Sequence, residues 1–155
     1  MKHIFELPDF PSSIFEIEEP FFLGKQKLYK DGVEVEQLKE KGKPFLIPNE
    51  YGAVIKVFPK KSFPDMATVL EINGVKNQVY NKLKWSEYII GALPILLIVV
   101  GGGIGGAIGA LGTIINFNIF RSKGSEISKY VKTLSISIIT FIIYFLLAIA
   151  LSKFL

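Results

Sequence analysis

Cysteine is absent from all 155 residues, which excludes disulfides, thiolate metal sites and thiol nucleophiles. His3 is the only histidine, so no two imidazoles can share a metal, and its place near the N-terminus predicts a loose segment. Arginine is almost missing: Arg121 stands alone against 17 lysines. The net charge of +4 and the pI of about 9.2 fit a nucleic-acid binder. However, bidentate recognition of phosphates and bases favours the planar guanidinium. The lysines also alternate with glutamates, as in Glu34, Glu36, Lys39, Glu40, Lys41 and Lys43, which predicts a solvated surface and no nucleic-acid partner. The stretch Met1–Asp9 lacks the apolar core of a signal peptide, so none is expected, and Lys2 stands where myristoylation needs glycine.

The most informative absence is of charge. No Asp, Glu, Lys or Arg occurs from Tyr88 to Phe120, nor from Thr133 to Ser152. A core built from so short a chain cannot hide two such runs, so each predicts a membrane span. The expected organisation is a soluble β-rich domain over residues 1–84 and a transmembrane helical hairpin over residues 85–155. Its spans lie at about 88–115 and 133–152, and the lipid bilayer is the first partner.

The soluble part reads as a small all-β domain, a sandwich or a partly open barrel. Leu28-Tyr-Lys-Asp-Gly-Val33 and Leu70-Glu-Ile-Asn-Gly-Val75 each place an Asx-Gly pair between strand-like residues, as a type I′ hairpin requires. The pair marks either a duplicated half-domain or two uses of the same favourable turn. Ile14–Glu18 alternates apolar and acidic residues. Ala53–Phe58 reads as a strand after the Asn49-Glu50-Tyr51-Gly52 turn. Prolines 8, 11, 20, 44, 48, 59 and 64 argue against long helices here. About six strands are expected, with Phe15, Leu28, Val33, Phe45, Ile47, Val54, Ile55, Val57, Phe58, Val69 and Leu70 as core candidates. Phe5, Phe10, Phe15, Phe21 and Phe22 either complete that core or offer an apolar surface.

In the membrane part, 28 residues of helix from Tyr88 to Ile115 would extend about 42 Å, beyond the ~30 Å hydrocarbon core. That helix must tilt, protrude or bend. Trp85 and Tyr88 are placed as interfacial anchors where the chain enters the membrane, with Arg121 where it leaves. Gly101, Gly105 and Gly109 recur every four residues beside Gly102, Gly106 and Ala110, with Gly112 following. Close backbone approach through small residues is how helices associate in lipid. The partner of this face is either the Ser137, Thr140, Tyr144 and Ala148 stripe of the second span or another copy of the chain in a homo-oligomer. Gly101-x-Gly103-x-x-Gly106 fits a dinucleotide pattern, but it lies inside an apolar span with no strand before it, so that reading is set aside.

Two spans place both termini on one side. Lys76, Lys82, Lys84 and Lys153 then face Arg121, Lys123, Lys129 and Lys132 across the membrane, and the balance of basic residues decides nothing. A cytoplasmic N-terminal domain is favoured, because no signal peptide is read ahead of it.

The segments Leu83-Lys-Trp-Ser-Glu-Tyr, Leu93-Pro-Ile-Leu-Leu, Gly101-Gly-Gly-Ile-Gly-Gly and Asn116-Phe-Asn-Ile-Phe-Arg-Ser follow Leu28-Tyr-Lys-Asp-Gly, Pro64 and Ile72-Asn-Gly-Val. In this order they resemble an uncharacterised group of bacterial two-span membrane proteins with a glycine-rich first transmembrane helix. The resemblance covers roughly residues 28–122 and implies a bacterial cell-membrane (inner-membrane) setting, but no activity.

No catalytic, cofactor-binding or metal-binding residue is read from the sequence. Glu16, Glu18, Glu19, Glu34 and Glu36 have the spacing of exposed strand faces. The expected function is non-enzymatic: a membrane-anchored β-domain that binds or scaffolds a protein partner. The alternative is a small homo-oligomeric pore or lipid-packing protein assembled through the glycine-rich helix.

Overall fold

The computed structural model describes residues 2–20, 25–49 and 51–153; Phe21, Phe22 and Glu50 of the preceding expectations lie outside the described residues. The chain divides into two compact units, Met1–Asn81 and Lys82–Leu155.

The first unit contains β1 (Lys2–Phe5), β2 (Phe15–Glu18), β3 (Lys27–Lys30), β4 (Val33–Glu34), β5 (Phe45–Pro48), β6 (Val54–Ser62), β7 (Ala67–Ile72) and β8 (Val75–Gln78). They form two antiparallel four-stranded sheets, β1-β2-β3-β4 and β5-β6-β7-β8. Asp31-Gly32 joins β3 to β4 with Lys30 opposite Val33, and Asn73-Gly74 joins β7 to β8 with Ile72 opposite Val75. The φ values, 51° and 82° in the first turn and 49° and 82° in the second, are the two positive angles of a type I′ turn. The two turns hold the same place in their sheets, between third and fourth strand.

The segment after β4 connects the sheets. Val35 N donates to Leu28 O at 2.7 Å, whereas Leu46 N donates to Glu36 O and Leu38 N to Pro44 O, both at 2.9 Å. Residues 35–38 therefore leave β3 and pair with β5.

One apolar cluster draws on both sheets. Phe5, Leu7, Phe10, Phe15, Ile17 and Leu28 meet Phe45, Ile47, Val57, Leu70, Ile72, Val79 and Tyr80. In β2 the alternation works as the pattern dictates: Phe15 and Ile17 are buried, Glu16 and Glu18 are not. Val33 and Val54, expected inside, are 70% and 59% exposed. Val33 borders a tight turn in a two-residue strand, and Val54 opens β6 opposite Pro48, so neither faces the cluster. Leu7 and Phe10, from the connection between β1 and β2, supply volume that the strands lack. His3 is not loose: it belongs to β1, and its ring centroid lies 4.7 Å from that of Tyr80. Pro59 sits in β6 beyond the last residue paired with β5, where a missing N–H costs no ladder bond.

The second unit contains α1 (Trp85–Gly91), a 3-10 turn (Leu93–Leu96), α2 (Leu97–Arg121) and α3 (Glu126–Ser152). Leu93–Arg121 and Glu126–Ser152 are both long and apolar enough to cross a membrane. The polarity of this unit is inverted. Val99 is 81% exposed and Leu146 62%, while Asn116, Thr133, Ser137 and Thr140 are buried. α3 begins at Glu126, ahead of the expected Thr133, because the Ser125 hydroxyl accepts from Ser128 N at 3.3 Å and caps it.

The apolar run from residue 88 to 115 is not one rod. At Gly102 the backbone takes φ 53°, ψ −134°, a region open almost only to glycine. The chain reverses there. Asn116 Nδ2 donates to the carbonyl of Gly91 at 3.1 Å across 25 residues that an unbroken helix would stretch over about 37 Å. Residues 85–101 are thus the inbound limb and residues 103–121 the outbound limb of a helical hairpin, which replaces the single helix expected over 88–115. Gly101-Gly102-Gly103 is the point of lowest helix propensity in the run, and the glycines beyond it let the limbs close on each other.

Candidate functional site: the glycine-lined helical hairpin

The hairpin is held by backbone approaching backbone. A Cβ added at Gly109 would run into the Pro94 carbonyl, and one at Gly105 into the carbonyl of Leu97. At Gly91 it would come within 2.7 Å of the Phe117 ring, and at Gly106 within 3.1 Å of the Ile98 side chain. Pro94 falls where the inbound limb narrows into the 3-10 turn, so its lost donor does not interrupt a long helix.

α3 closes the other side. A Cβ at Gly112 would lie 2.7 Å from Thr140 Oγ1, and one at Gly101 would enter the Tyr144 ring. Ser137, Thr140 and Tyr144 are the buried stripe of α3, and Ala148 is half-buried. Asn116 ties all three segments together. It is fully buried, and its Nδ2 bonds both Gly91 O and Ser137 Oγ, the latter at 2.9 Å. Ser137 and Thr140 donate back to Thr133 O and Ile136 O, one turn earlier in α3, at 2.9 and 2.8 Å.

Of the small residues named from the sequence, Gly101, Gly105, Gly106, Gly109 and Gly112 thus face partners in the same chain. Gly102 forms the reversal with open space around it, and Ala110 is exposed. Gly91 and Asn116 belong to the same packed surface but fall outside the four-residue row, which conceals them from a spacing argument.

At the open end, polar groups at the start of the inbound limb meet the first turns of α3. Lys84 Nζ pairs with Glu126, whose carboxylate raises the ammonium pKa above its ordinary value, and Ser86 Oγ lies 3.0 Å from Tyr130 Oη. Glu87 accepts from Lys84 N at 2.7 Å and caps α1. Leu83, Phe117 and Phe120 form a small apolar cluster there, with the Tyr130 ring edge-on to Phe120 at 5.2 Å. Trp85 is 78% exposed, Tyr88 packs edge-on to Phe117 at 5.7 Å, and Arg121 is half-buried at the end of α2.

In the β-unit the glutamates are spread over strand faces. Glu16 pairs with Lys2 at 2.7 Å, Glu34 with Lys27 at 3.4 Å, and Glu18 accepts from Tyr29 Oη at 3.3 Å. Glu36 is exposed. Glu19 enters a compact network that local sequence gives no hint of. It binds the buried hydroxyl of Thr68 and accepts from Gln26 Nε2 at 2.6 Å, and Lys61 Nζ donates to Thr68 Oγ1 at 2.7 Å. Sequence separations of up to 49 residues hide it. Among the described residues no three His, Asp or Glu side chains gather in a way that could hold a metal. A groove of about 600 Å³ opens where residues 35–38 leave β3, lined by Val35, Leu38 and Phe45 together with Lys25, Lys27, Lys39, Lys43, Glu34 and Glu36. No protein-family model, no curated protein and no solved structure matches this chain.

Proposed function

We propose that this chain is an integral protein of a bacterial cell membrane whose helical unit is an anchor and whose β-unit, a sandwich or partly open barrel on the cytoplasmic side, is a non-enzymatic binding or scaffold module for a protein partner. The supporting observation is the use made of the glycine face. A pore or lipid-packing oligomer assembled through Gly101 to Gly112 needs that face free to meet a second copy. Gly105, Gly109 and Gly112 are instead filled by Leu97, Pro94 and Thr140 of the same chain. The inverted polarity of the helical unit fits acyl chains outside and a small polar seam inside. In the β-unit, the groove between β3 and β5 combines an apolar lining with four lysines and two glutamates, a composition suited to a protein segment carrying both apolar and acidic side chains.

The test compares the full chain with its Lys25→Glu/Lys43→Glu variant, both affinity-purified from native membranes. The expected result is a co-purifying protein retained by the first and lost by the second, with a monomeric chain in detergent. A stable oligomer that conducts ions in planar bilayers would replace this reading with the pore.

A further inference from the structure

We propose that residues 85–121 are a re-entrant hairpin, entering and leaving the bilayer at the same face with their apolar skin in the acyl chains, and that α3 alone crosses; this rests on the membrane reading above.

The helix packing sets the depth. α3 serves as a ruler, because its residues contact the hairpin at both ends. Its first turns meet the open end, through Lys84 on Glu126 and Ser86 on Tyr130. Further along, Asn116 meets Ser137 and Gly112 meets Thr140, while the tip at Gly101 meets Tyr144. The uncharged apolar stretch of α3 from Leu134 to Leu151 rises about 27 Å, close to the thickness of a hydrocarbon core. Tyr144 lies ten residues into it, at about 15 Å, so the hairpin turns back near the bilayer midplane. Eight further residues of α3, about 12 Å, continue past the tip to Ser152.

The composition of the two hairpin ends agrees. The tip is Gly101-Gly102-Gly103 flanked by Val99, Val100 and Ile104, so the turn carries no polar side chain of its own. The open end carries Trp85, Tyr88 and Tyr130, the aromatic belt of an interface.

The distribution of basic residues, which two spans leave balanced at four against four, becomes one-sided. With re-entry, Lys76, Lys82, Lys84, Arg121, Lys123, Lys129 and Lys132 all belong to the face of the open end, and Lys153 alone to the other. Seven against one is the asymmetry of a cytoplasmic face: the sequence supplies the basic residues, and the hairpin decides which of them share a face. Chain connectivity through Lys82 puts the β-unit on the open-end side of the membrane, and the end of α3 at Ser152 lies on the opposite side.

The absence of cysteine makes the test direct. Three full-length single-cysteine variants, Tyr51→Cys, Lys123→Cys and Ser152→Cys, are placed in right-side-out and inside-out membrane vesicles and treated with an impermeant maleimide. Tyr51 and Lys123 are expected to label only in inside-out vesicles, and Ser152 only in right-side-out ones. Labelling of Lys123 from the side opposite Tyr51, or of Ser152 from the same side as Tyr51, overturns re-entry in favour of two full spans. Tyr51 and Lys123 labelling together from the outside, with Ser152 inside, supports the hairpin and overturns the cytoplasmic placement instead. Release of the chain by alkaline carbonate overturns the membrane reading, and the hairpin with it.

Discussion

Gly109 and Ala110 are neighbours in the chain and opposite in consequence. Gly109 faces the Pro94 carbonyl, a backbone group that cannot swing aside, whereas Ala110 faces outward. Gly109→Ala is expected to cost about 1–3 kcal/mol through overpacking, and Ala110→Leu close to nothing. Reversible unfolding in mixed detergent would read the difference, and equal effects would mean that the limbs are not packed as described. Gly102 tests the reversal through the backbone alone, since nothing lies near it. Gly102→Ala retains the space but strains the turn, and about 1–3 kcal/mol of destabilisation is expected in the same assay. Asn116→Ala removes the side chain that bonds both Gly91 and Ser137. Hydrogen bonds between helices in lipid average about 0.6 kcal/mol with a maximum near 1.7, so a loss at the upper end is expected. Those three residues are unequally visible in the sequence. Gly109 stands in a four-residue row and reads at once as a packing position. Gly102 stands in the adjacent row and reads the same way, yet it makes the turn. The side-chain amide of Asn116 gives no packing signal in the sequence, because its partner Gly91 lies 25 residues earlier.

At the level of elements, the two Asx-Gly hairpins were the most legible features, since a two-residue turn with both φ values positive selects its own residues. Gly74→Val should destabilise the β7–β8 hairpin by about 1 kcal/mol or more, measurable by chemical denaturation, because a β-branched side chain resists φ 82°. The long apolar helices were equally legible in extent but not in path. Excess length was the available sign, since about 42 Å of helix in a ~30 Å core has to go somewhere. Tilt, protrusion and reversal all absorb that length, and only reversal brings Pro94 to Gly109.

For the molecule as a whole, the β-unit depends on one cluster drawn from both sheets, with Phe15 fully buried in contact with the Phe5 and Phe10 rings at centroid distances of 5.8 and 5.5 Å. Phe15→Ala is expected to cost about 3–5 kcal/mol, enough to unfold a small β-unit at modest denaturant, as monitored by circular dichroism. Alternation along β2 announces this burial, whereas the contributions of Leu7 and Phe10 come from an irregular segment without periodicity.

The sequence by itself determined that there are two kinds of unit, where one gives way to the other, and that the second contains two runs suited to lipid. These follow from local composition, because the transfer of charge and of apolar surface is additive along the chain. The tertiary structure decided what the glycine face packs against, that the first run folds back at Gly102, and therefore which basic residues share a face of the membrane. Small-residue spacing shows that something comes close without showing what, and a reversal at one glycine becomes favourable only when carbonyls, aromatic rings and a buried amide, brought from residues 91 to 144, close around it.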